Sequence, residues 1–129
     1  MRENHRDRGP GVLARLSRVA TASIFITSGI EIAREPGARP EKLEAFGLPR
    51  PDLLVRLNGA GMAVAGTTLA LGIRPRESAL ALLALLVPTT VVGHPFWTLE
   101  GPARKMQEVQ FLKNAAMAGG LMALIALES

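Results

Sequence analysis

Ser78–Leu99 reads SALALLALLVPTTVVGHPFWTL and contains no Asp, Glu, Lys or Arg. A helix crossing the hydrocarbon core of a bilayer needs roughly 20 mainly apolar residues, so this stretch alone is long enough to span. Three further apolar runs flank it. Leu57–Ile73 (LNGAGMAVAGTTLALGI) becomes a full span when the preceding DLLVR is included, and Asn114–Leu127 (NAAMAGGLMALIAL) does so with EVQFLK before it. Val12–Ala33 is interrupted by Arg15, Arg18 and Glu31, all near its ends, where long side chains reach the interface.

The chain as a whole agrees with this reading. Its 129 residues suggest one domain. Mean hydropathy is +0.23 although 20% of residues are charged, so charge and apolar residues are segregated. The 15 basic residues lie mostly between the apolar runs and form no single stripe, which argues for membrane loops and against nucleic acid. A soluble four-helix bundle would show Glu, Lys and Arg at helical spacing on one face of each helix, and the third run has none. A cleaved signal peptide fits poorly, because Arg15 and Arg18 break the apolar stretch and no A-x-A-like site follows. The expected fold is therefore an all-α, integral membrane four-helix bundle with both termini on one side. It comprises a polar tail over 1–11 and a membrane domain over 12–127, with spans near 12–33, 52–73, 78–99 and 108–127.

Loop one, Arg34–Pro51, is long, charged and rich in proline, and KLEAFGL within it suits a short interfacial helix. Arg74–Glu77 is a tight turn that makes its flanking helices antiparallel neighbours. Basic residues are balanced between the two sides once the four spans are drawn; cytoplasmic termini are the expectation, in a multi-pass protein of the cell membrane. Pro88 should kink the third span. Small-xxx-small spacings (Gly59/Ala63, Gly61/Ala65, Ala115/Gly119, Ala116/Gly120) allow close helix packing within the chain or, alternatively, a homo-oligomer.

Four antiparallel spans bring the end of the first and third and the start of the second and fourth to one leaflet. Thr27, Ser28, Glu31, Arg56, Asn58, Thr89, Thr90, His94, Gln107, Gln110, Lys113 and Asn114 then share one depth. Ionisable groups in a membrane need a partner, a wet cavity or an escape to the interface, and such a layer is by default a candidate site. Gln107, Gln110 and Asn114 fall on one helix face, at i, i+3 and i+7. Arg56 and Asn58 point about 200° apart, so they cannot both face the same neighbour. The candidate ligand-binding residues are Glu31, Arg56, Asn58, His94, Gln110, Lys113 and Asn114. Each has a structural alternative: an ion pair of Glu31 with Arg56 or Lys113, snorkelling of Lys113, capping of loop one by Arg56, capping of a helix end by His94. Phe96 and Trp97 suit an aromatic belt.

Conventional catalytic signatures are missing: there is no HExxH, P-loop or GxGxxG, and no residues that read as a Ser/His/Asp set. The absence of cysteine excludes disulfides, Cys-type zinc sites, iron–sulfur clusters and dithiol chemistry carried by the chain itself. Two histidines without cysteine make a haem or copper site held by this chain unfavourable, and no metal site is expected. A neutral His, an amide face and a nearby cation suit a quinone ring or a lipid head group.

SIFITSGIEIAREP, LVRLNGAGMAVAGTTLALGIRPR, VPTTVVGHPFW and QFLKNAAMAGGLMAL, in this order between Val12 and Leu127, resemble the DoxX family of small bacterial membrane proteins, actinobacterial members in particular. The resemblance implies a four-helix membrane fold and association with redox systems. Related proteins serve as membrane subunits of a thiosulfate:quinone oxidoreductase, and mycobacterial members are linked to a complex with thiol- and superoxide-handling enzymes. Family members often carry Lys shortly after the helix-one Gly and Glu early in helix two. Here Ile32 follows Glu31 and position 58 is Asn, so a pairing of those charges is absent or rearranged. The expected function is a membrane subunit or anchor of a quinone- or thiol-linked oxidoreductase, with the lipid bilayer and other redox proteins as partners. The alternative is direct binding of a quinone or lipid head group in electron transfer, with no covalently bound cofactor. A small transporter fits less well, since no inverted repeat or charged pathway through both leaflets is evident.

Overall fold

The computed structural model describes residues 11–128; apart from Gly11, the polar tail expected over 1–11 lies outside them. Every described element is helical: α1 (Val12–Arg34), α2 (Arg39–Glu44), α3 (Pro51–Leu71), α4 (Pro75–Gly93), a 3-10 turn (Phe96–Thr98) and α5 (Gly101–Leu127). Four helices, α1, α3, α4 and α5, are long and apolar enough to cross a membrane. The core joins all four through Ala22 and Phe25, Met62 and Leu69, Leu82 and Leu86, and Leu121 and Leu124.

Proline and glycine set the element ends. Pro40, Pro51, Pro75 and Pro102 each lie in the first turn of a helix, where the missing N–H costs nothing. Gly72 ends α3 in the left-handed region at φ 72°, and its N–H and that of Ile73 bond the carbonyls of Leu69 and Thr68. Ser78 ties the turn down by accepting or donating to Thr68 Oγ1 at 2.6 Å and donating to the Ile73 carbonyl.

Three elements differ from their expected extents. The third span stops at Gly93 although the apolar run continues to Leu99, because Pro95 pushes His94 out of the helical region. The chain goes on as the 3-10 turn. α5 starts at Gly101, so its polar first turns are helical too, and its 27 residues extend about 40 Å, beyond a hydrocarbon core of about 30 Å. The short helix in loop one covers Arg39–Glu44 and ends ahead of Gly47, which sits at φ 78°.

Among the described glycines, the closest packing is between α1 and α3. A methyl placed on Gly29 would lie 2.5 Å from the Gly59 carbonyl oxygen and 2.7 Å from the Ala63 nitrogen; one on Gly59 would lie 2.7 Å from the Gly29 carbonyl oxygen. In lipid, helices gain little from the hydrophobic effect against each other, so this backbone-to-backbone packing is what fastens the pair. The small residues of α5 are not used this way: Cβ atoms on Gly119 and Gly120 would meet nothing within 4 Å.

The termini side is closed by charge. Arg18, only 7% exposed, donates from Nη1 to Glu128 Oε1 at 3.1 Å. This pair links the start of α1 to the end of α5 and places both on one side of the bundle. Arg18 therefore does not snorkel; its guanidinium packs against Gly72, and its Nε finds no hydrogen-bond partner.

Gly59→Val should lower the stability of the detergent-solubilised protein by at least about 2 kcal/mol, since only backbone can yield. Gly120→Val should change it by less than about 0.5 kcal/mol. A denaturant titration followed by circular dichroism measures both, and equal effects would contradict the packing described.

Candidate functional site

Between the four spans, beneath α2 and at the end opposite the termini, lies a cavity of about 590 Å³. That volume falls in the usual range for small-molecule pockets. Its inner part is apolar, with Phe25, Met62, Leu86 and Met117, and its outer part is mainly polar, with Ile32 and Val55 among the polar residues near the mouth.

Pro88 prepares the polar wall. It has no N–H to give the helix, and in the two residues that follow, Thr89 and Thr90, each hydroxyl donates to a carbonyl four residues back, those of Leu85 and Leu86, at 2.8 and 2.7 Å. Because each hydroxyl proton is committed, each threonine oxygen is left to accept. Asn58 Nδ2 on α3 donates to Thr89 Oγ1 at 2.7 Å, and Asn114 Nδ2 on α5 donates to Thr90 Oγ1 at 3.1 Å. Two successive residues of α4, about 100° apart, thus clamp it to both neighbours. Asn58 Nδ2 also donates to Met62 Sδ at 3.5 Å, which leaves only its amide oxygen, whereas Asn114 keeps one N–H and its amide oxygen for other partners.

His94 caps α4 and leaves the helix at φ −131°. Its Nδ1 lies 2.7 Å from Gln107 Oε1. A carbonyl oxygen only accepts, so Nδ1 donates, and in a neutral ring Nε2 is then the acceptor. Behind this bond, Phe96, Trp97 and Phe111 stack edge to face at centroid distances of 5.2 to 5.9 Å and hold the 3-10 turn on α5. Arg104 lies 5.7 Å from the centre of the Phe96 ring.

Of the seven candidate residues, Asn58, His94, Gln110, Lys113 and Asn114 all line this cavity. Arg56 and Glu31 do not. Arg56 bonds Asp52 at 3.0 Å and donates to the carbonyls of Ala33 and Arg34, at 2.9 and 3.3 Å, where it caps the end of α1. Glu31 is exposed on α1 and forms no ion pair with Arg56 or Lys113. With α5 starting at Gly101, Lys113 sits about 18 Å along the helix, against about 8 Å from a start near residue 108. Sequence reasoning left Arg39, Lys42 and Ser28 out of the site, yet all three line the cavity. Arg39 and Lys42 come from the charged loop one, whose fold back over the bundle has no periodic signal. No group of three or more His, Asp or Glu able to hold a metal occurs among the described residues.

A family model named DoxX matches residues 13–95, close to two thirds of the chain. The chain belongs to the DoxX family. It is also similar to inner membrane protein YphA of Escherichia coli strain K12, with 26% identity over 113 residues, covering 88% of this chain and 81% of that protein. No solved structure matches it. With its four apolar helices, this DoxX-family chain is an integral, multi-pass membrane protein embedded in a lipid bilayer.

Thr90→Val and Asn114→Leu should each destabilise the protein by about 1–2 kcal/mol, because each orphans the other's polar group. The double variant should lose less than the sum, with a coupling of about 0.5–1.5 kcal/mol. Strict additivity in a denaturant titration read through Trp97 fluorescence would show that the two side chains do not interact.

Proposed function

We propose that this chain is the quinone-holding integral membrane subunit of an oxidoreductase complex. One observation carries the reading: a cavity at the polar end of the bundle combines amide donors, a cation and a histidine acceptor with an apolar interior. A quinone presents two carbonyl oxygens on a flat ring and an apolar tail. The free N–H groups of Asn114 and Gln110 and the ammonium of Lys113 suit those oxygens, and Phe25, Met62, Leu86 and Met117 suit the ring and the tail.

A quinone supplies two-electron, two-proton redox chemistry when bound. The chain's own residues would bind and orient it, and His94, protonated at Nε2 from water while Gln107 holds Nδ1–H, would pass that proton to a ring oxygen as the partner's electrons reduce the ring. Without cysteine or a metal-ligating group, the chain has no electron donor of its own among the described residues, so electrons come from a partner protein. With cytoplasmic termini the cavity faces the outer side, and loop one, which covers it, is the natural place for that partner to dock.

His94→Ala should reduce quinone retained on the purified protein at least about tenfold while helical content and membrane insertion stay unchanged. Native mass spectrometry reads the occupancy directly. Full occupancy in that variant would remove His94 from the site, and a wild-type protein that holds no quinone from its own membrane would defeat the proposal.

A further inference from the structure

Arg39 and Lys42 on α2 and Lys113 on α5 all line the cavity, and no aspartate or glutamate does. None of the three forms an ion pair with a described carboxylate; the described pairs are Arg18–Glu128 and Arg56–Asp52. Arg39 and Lys42 reach only backbone carbonyls, those of Pro36 and Gly93, each at a long 3.4 Å. A neutral quinone ring leaves this excess of positive charge without a counter-charge. Cations at the edge of a low-dielectric cavity are costly unless an anion joins them, and basic groups placed at a membrane face attract acidic head groups.

From this geometry we infer that the mouth of the cavity binds the phosphate of an acidic membrane lipid. The phosphate sits among Arg39, Lys42 and Lys113, and the first part of an acyl chain passes Ile32 and Val55 into the apolar interior beside Phe25, Met62 and Met117. The lipid enters between α1 and α5, which touch least among neighbouring spans and are tied at the other end by Arg18 and Glu128. The inference rests on the reading that the cavity takes a membrane amphiphile, and adds that an acidic lipid competes with the quinone for the same volume.

The test is native mass spectrometry of the full chain in detergent, titrated with short-chain phosphatidic acid, phosphatidylcholine of the same chain length, and decylubiquinone. One phosphatidic acid should bind at a concentration at least about tenfold lower than phosphatidylcholine and displace decylubiquinone. The double variant Lys42→Gln/Lys113→Gln should lose most of that preference, whereas Arg76→Gln, an exposed cation at the far end, should keep it. Both substituted lysines are exposed, so folding is retained and circular dichroism verifies it. Equal binding of the two lipids, or a preference that survives the lysine variant, overturns the inference. Release of the lipid by millimolar inorganic phosphate would assign the cations to a free anion and also overturn it. Decylubiquinone binding without any lipid preference would leave the preceding reading standing, and binding of neither class would remove both.

Discussion

Gly29 and Gly59 leave no room for a single methyl group between α1 and α3, and the geometry of the cavity follows from that contact. Water drives no helix association inside a bilayer, so contact distance and polar pairing decide which helices lie together. The glycine crossing commits α1 to α3. It leaves α1 only lightly packed on α5, and the space that a fully closed bundle would fill stays open beneath loop one. The same crossing sets Ser28 and Asn58, each next to a crossing glycine, on the cavity wall.

The polar residues of the bundle divide by whether their bonds are used up. Thr68 and Ser78, Arg18 and Glu128, and Arg56 with Asp52 and the end of α1 are paired within the chain and hold it in shape. Thr89 and Thr90 also act as braces: each receives an asparagine amide while giving its proton to its own helix. What remains lines the cavity with bonding capacity to spare, namely the amide oxygen of each asparagine, one N–H of Asn114, Gln110, Nε2 of His94 and the ammonium of Lys113. Polar groups at membrane depth are expensive when idle. Their convergence on one space, rather than their presence in the sequence, is the argument for a ligand.

The fold was legible because a bilayer demands long uninterrupted apolar runs. Four such runs fix antiparallel neighbours and hence which helix ends share a leaflet, and the 200° separation of Arg56 and Asn58 on one helix already sent them to different neighbours. Asn58, His94, Gln110, Lys113 and Asn114 were reachable by that route alone. Glu31 shares their depth but not their direction, and depth was all that four spans could supply for a first helix with weak periodicity. Arg18 with Glu128 was out of reach, since a pair 110 positions apart has no local signal. Arg39 and Lys42 were missed for the related reason that loop one carries no period from which its path over the cavity could be read. The start of α5 at Gly101 was hidden by the polarity of its first turns, which extend past the hydrocarbon.

A cavity that holds one specific membrane amphiphile captures a different set of neighbours from one bathed in bulk lipid. Site-specific photo-crosslinking in native membranes separates the two, with a benzophenone amino acid at Met117, on the cavity wall, or at Met122, exposed about 1.4 turns further along α5. A single defined adduct is expected at Met117, a quinone or an acidic lipid, and only the general membrane lipid mixture at Met122. The same mixture at both positions would contradict it.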